Sequence, residues 1–70
     1  MGKRIALKKF RVGLDMNQEE FAAGLGVSRF TYSLIEQGKK DGSLAFWLGF
    51  KKKYNLTPSE LLELIKIEKV

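Results

Sequence analysis

Seventy residues leave room for one domain around one small core, at a size where stability is marginal without help. The chain has no cysteine and no histidine, which excludes disulfides and removes both the usual zinc ligands and the commonest general base. Thirteen Lys and Arg against eight Asp and Glu give a formal net charge of +5, a balance that suits an anionic partner such as nucleic acid.

The chain opens with a basic segment, MGKRIALKKF, that lacks the apolar run of a signal peptide. From Lys3 to Val12 the apolar residues Ile5, Leu7, Phe10 and Val12 recur at a loosely helical period, and Gly13 offers a stop. A second helix follows from a capping box, with Asn17 as N-cap and Glu20 three positions on. Met16 and Phe21 stand at the positions of a hydrophobic staple, and Gly24-Leu25-Gly26 ends that helix after about two turns.

Ser28 is the natural N-cap of a third helix that runs to Gln37 and stops at Gly38. Gly38 to Gly42 is a loop by composition, after which Ser43 or Asp41 caps a fourth helix through Tyr54. Leu44, Trp47, Phe50 and Tyr54 predict its inward stripe, which leaves Phe46 and Gly49 facing out. Thr57, Pro58 and Glu60 open a fifth helix, expected over about 58–70. No two-residue alternation marks a strand, so the expected fold is all-α, one domain over residues 1–70.

Residues 18–37 carry the spacing of a helix-turn-helix. Ala22 is a small residue at the fifth position, where two helices cross closely, and Gly26 at the ninth enters the turn without steric cost. Tyr32 and Ile35, at the fifteenth and eighteenth, share one face of the second helix. A bend of this kind projects its second helix, which can then enter a DNA major groove.

With its flanks, the motif resembles the Cro/C1-type helix-turn-helix regulators, a family that includes the phage 434 and lambda repressor domains. The resemblance runs from about Leu7 to Leu62 and rests on MNQEEFA, the turn GVS, IEQGKK and the ending YNLTPSELL. It implies a compact five-helix domain that binds double-stranded DNA as a transcriptional regulator, a repressor of bacterial or phage origin working in the cytoplasm. By the same resemblance Gln18, at the positive end of the second helix, would clamp a phosphate, as would Lys39 and Lys40 with the backbone of their loop. Arg11 and Glu36 would form a structural pair that fixes the recognition helix. No cofactor, metal or enzymatic activity is implied, because no nucleophile–base pair or ligand cluster is present.

The recognition helix departs from the usual pattern. With Tyr32, Ile35 and Ser28 on the inner side, the outer side holds Arg29, Phe30, Ser33, Leu34 and Gln37 as candidates for base contact. Arg29, Ser33 and Gln37 suit the donors and acceptors of base edges, and Arg29 suits guanine. Phe30 and Leu34 invite three explanations: contact with thymine methyls, cover by a partner protein, or a rotated helix that tucks one of them into the core. The second of these would make the chain an interaction module such as the antitoxin of a toxin pair. Two regions are candidates for a homodimer interface: the neighbourhood of Phe46, and the tail 61–70, whose Leu61, Leu62, Leu64, Ile65, Ile67 and Val70 exceed one helix face.

Overall fold

The computed structural model describes residues 2–69. Five helices account for most of it: α1 (Ile5–Gly13), α2 (Gln18–Gly24), α3 (Arg29–Glu36), α4 (Leu44–Lys53) and α5 (Pro58–Ile65). Four of their five starts are set by local side-chain chemistry. Asn17 Oδ1 accepts from the Glu20 N–H at 2.8 Å while Glu20 Oε1 accepts from the Asn17 N–H at 3.0 Å. Thr57 and Glu60 repeat this box at α5, with Pro58 in its first turn. Ser28 and Ser43 cap α3 and α4 with single bonds to the N–H groups of Thr31 and Phe46. Each such cap contributes about 1 kcal/mol.

The core is small and aromatic. Leu7, Phe21, Tyr32, Ile35 and Phe50 are its largest fully buried side chains, with Ala22 among them. Phe10, Phe21, Phe50 and Tyr54 meet mostly edge to face, with Phe21 and Tyr54 stacked at 5.8 Å and 15°. Rings in these arrangements add to the burial term, which helps a chain this short hold its core together. Met16 and Phe21, the two staple positions, both contribute to this cluster.

Several expectations are corrected. Gly13 is the last residue of α1 rather than its stop; the chain turns at Asp15, which takes the left-handed φ of 58°. In α4 the inward stripe is Phe46, Trp47 and Phe50, with Tyr54 half-buried, whereas Leu44 faces out. Phe46 is 5% exposed and Leu44 74% exposed, so Phe46 cannot be the centre of a docking surface. The bond from Trp47 Nε1 to the Asp41 carbonyl, 2.9 Å, fixes the roll of this helix and brings Phe46 in beside the indole.

α5 stops at Ile65 instead of continuing to the end of the chain. Arg4 Nε donates to the Ile65 carbonyl at 2.8 Å and so takes an acceptor that another helical turn would use. The chain then extends, and β2 (Glu68–Lys69) pairs antiparallel with β1 (Gly2–Lys3), Gly2 opposite Lys69 and Lys3 opposite Glu68. Among the described residues this ladder is the one addition to an otherwise all-α fold. Of the tail's apolar residues, Leu64 is buried and Leu61 and Ile65 pack on the core, while Leu62 and Ile67 stay exposed. Val70 lies outside the described residues.

Candidate nucleic-acid interface

The turn between α2 and α3 is built as its spacing requires. Ala22 is fully buried, and its carbonyl accepts from the N–H groups of Leu25 and Val27 at 3.0 and 3.1 Å. Gly26 has a φ of +74°, a conformation that a Cβ would strain. Tyr32 and Ile35 then turn inward and anchor α3 on the core. Ser28, expected on the inner side, is exposed, because as N-cap it turns its hydroxyl to the first turn of α3.

Behind α3 lies a buried polar seam. Arg11 Nε and Nη2 donate to the two oxygens of Glu36 at 2.9 and 3.2 Å, and Arg11 Nη1 donates to the Met16 carbonyl at 2.8 Å. The Tyr32 hydroxyl donates to Glu36 at 2.6 Å, and Gln18 Nε2 does so at 3.2 Å. Burial alone pushes the Glu36 carboxyl up, but the bonds from Arg11, Tyr32 and Gln18 outweigh it and hold the group below its ordinary range. Burial and the bond to Glu36 push the Tyr32 hydroxyl well up, and Arg11 is raised by its bond to the carboxylate. A bidentate pair of this kind fixes an angle between helices as well as a distance. Glu36 is scaffold here, saturated with donors.

The outward face of α3 carries the five candidates for base contact. Arg29 is exposed at the first position of the helix, and Phe30 beside it is 71% exposed. Ser33 and Gln37 are half-buried and joined by a 2.8 Å bond from Gln37 Nε2 to Ser33 Oγ. Leu34 is half-buried, yet neither it nor Phe30 belongs to the core cluster, so no rotation of α3 hides Phe30.

The candidates for phosphate contact flank this face. Gln18 begins α2 and spends one amide hydrogen on Glu36, which leaves the other available. Lys39 and Lys40 are exposed, but their backbone N–H groups both turn in to the Leu34 carbonyl at 2.9 and 3.2 Å. Gly38, at a φ of +76°, allows that reversal. The loop therefore offers two ammonium groups there rather than these two backbone donors.

Arg4 is a site residue that the sequence did not reveal. Its side chain is buried with no carboxylate within 4.0 Å among the described residues, and it donates to the carbonyls of Ile65, Ile35, Lys40 and Asp41 at 2.8, 2.7, 3.0 and 3.4 Å. Its guanidinium also lies 5.3 Å from the Trp47 ring centre. Burial lowers its proton affinity, and Asp41 offsets part of that. Arg4 thus sits at the negative ends of α3 and α5 together, where the carbonyls left over by two helices stabilise a cation. No signal in the sequence could have found it, because its partners are backbone atoms 31 to 61 residues away.

Among the described residues no helix is long and apolar enough to cross a membrane, and no group of three or more acidic side chains is placed to hold a metal ion. No curated protein and no solved structure matches the chain significantly. A helix-turn-helix family model does match it, over residues 7–61. That span covers most of the chain and contains the α2–turn–α3 unit, the Arg11–Glu36 seam and the capped start of α5. The chain therefore belongs to the Cro/C1-type helix-turn-helix family of DNA-binding regulators.

Proposed function

We propose that the chain is a sequence-specific repressor that lays α3 in the major groove of an operator with two half-sites. The carrying observation is the outer face of α3: an exposed Arg29 and Phe30 at the helix N-terminus, on a helix clamped from behind. Helices of this motif meet base edges with their N-terminal residues. In this reading Arg29 donates to guanine and Phe30 contacts thymine methyls, pairings that suit their chemistry. Ser33, Leu34 and Gln37 complete the reading face. Gln18, Lys39 and Lys40 contact phosphates, which set register and affinity without sequence information.

Two half-sites call for two copies. Leu62, 68% exposed on α5, and Ile67 beyond it are the tail positions that support a homodimer. Regulation would follow from this dimerisation and from the protein's abundance, in a bacterial or phage setting. The exposure of Phe30 also supports a second reading, an antitoxin-like module that buries this ring in a protein partner.

Selection from random duplex DNA at two salt concentrations separates the two. The repressor reading expects an inverted repeat, A·T-rich where Phe30 sits, with affinity falling steeply as salt rises. Weak binding without a motif would remove that reading in favour of the protein partner.

A further inference from the structure

A cleft of about 400 Å³ opens between the N-terminal strand, α1, α2 and the end of α3. Lys3, Arg4 and Lys8 line it together with Gln18, Glu36 and Gln37. Its charge is lopsided. Glu36, the one anion in the lining, is already bonded to Arg11. Arg4 spends its donors on carbonyls and forms no ion pair among the described residues, with Asp41 acting on it only at longer range. Lys3 and Lys8 are exposed, and neither has a carboxylate within 4.0 Å among the described residues. Gln18 and Gln37 each spend one amide hydrogen within the protein and keep another. The cleft is therefore cationic, with neutral donors in its wall.

Its position is as informative as its charge. Gln18 and Gln37 belong both to this cleft and to the candidate DNA face, so the two surfaces are continuous. The cations are also held in register with α3. The Arg4 N–H donates to the Glu36 carbonyl at 3.0 Å. Gly38 lies so close beneath the N-terminal strand that an added Cβ would come within 2.5 Å of the Gly2 carbonyl oxygen. The ladder with β2 holds Lys3 from the other side.

We infer that this cleft seats a DNA backbone phosphate, gripped by Lys3 and Lys8 and positioned by the N-terminal strand against the end of α3. The inference rests on the DNA-binding reading and adds to it a contact outside the helix-turn-helix. Lysines act on phosphate as point charges, so two of them converging on one cleft need little directional geometry.

The test is fluorescence anisotropy of a labelled mixed-sequence duplex with the full chain, from 0.05 to 0.3 M salt. It compares K3Q/K8Q with the charge-matched K52Q/K66Q, whose lysines are also exposed, and confirms by circular dichroism that both fold. One lost phosphate lowers the slope of log K against log salt by about 0.9, which at 0.1 M is about an eightfold loss of affinity. We expect that loss for K3Q/K8Q and a smaller one for K52Q/K66Q. Equal losses, or an unchanged slope for K3Q/K8Q, would overturn the inference while leaving the DNA reading intact. A wild-type chain that binds no duplex would overturn both.

Discussion

At its C-terminal end α3 is gripped by two buried arginines, while at its N-terminal end a serine caps it and Arg29 and Phe30 stand in solvent. Arg11 takes hold through the Glu36 carboxylate and Arg4 through the Ile35 carbonyl, so the same end is fixed once by an ion pair and once by backbone. The contrast separates two jobs along one helix. The gripped end sets the angle at which α3 leaves the core, and the open end carries the side chains that vary in what they can meet. Substitutions at the first should be felt in folding, and at the second in binding.

The largest effect is expected from Glu36→Ala, which strands Arg11 in a seam where both side chains are at most a tenth exposed. Breaking a buried pair on one side costs about 3–5 kcal/mol, enough to unfold much of a domain this small. Urea denaturation checks it, and a loss below about 1 kcal/mol would mean that the seam does not set stability. Arg4→Met should cost less, about 2–3 kcal/mol, because the carbonyls it leaves can be partly rehydrated. An Arg4→Met cost matching that of Glu36→Ala would remove the distinction between the two grips.

The grip should also show in pH dependence. Glu36 sits below its ordinary value of 4.5 when folded, so the unfolded chain binds the proton more readily. Its stabilisation is complete above pH 4.5 and is lost as pH falls through the folded value. Tyr32 shifts the opposite way from an ordinary 10.0, so its contribution is complete below that and declines as pH rises beyond it. Thermal melts between pH 3 and 11 should therefore give a plateau with both shoulders, and Glu36→Gln should flatten the acid one.

At the open end the readout changes. Arg29→Ala should weaken binding to a selected operator by about 1–3 kcal/mol while moving stability by less than about 0.5 kcal/mol. The smallest effect on stability is expected from Phe30→Ala, since its ring joins no core cluster. Its operator affinity should fall most where thymine follows the reading face. A melting temperature that drops for Phe30→Ala would show that the ring packs in solution after all.

Much of this arrangement was legible in the sequence, and the illegible parts share a cause. Caps act over three residues, so Asn17–Glu20, Thr57–Glu60 and Ser28 declared α2, α5 and α3 directly, while the sequence left Ser43 and Asp41 as alternatives for α4 and the structure selects Ser43. The buried Tyr32 and Ile35 followed from motif spacing, and the Arg11–Glu36 pair from the family resemblance. In α4, by contrast, apolar residues fill nearly every position from Leu44 to Phe50, so spacing alone could not choose which of them faces in. Phe46 was misplaced for that reason. The terminal ladder is too short to show alternation, and Arg4 bonds to main-chain oxygens that carry no residue signature. Local chemistry is written in the sequence; contacts between the chain's two ends form only when the fold closes.

The most direct test of the account is a map of backbone amide shifts as a selected operator duplex is added to the labelled protein. The account predicts changes concentrated at Arg29, Phe30, Ser33 and Gln37, with Gln18, Lys39 and Lys40 at the edges and Leu44 and Leu48 unmoved. Changes centred on α4 or α5 instead, with the outer face of α3 silent, would contradict it.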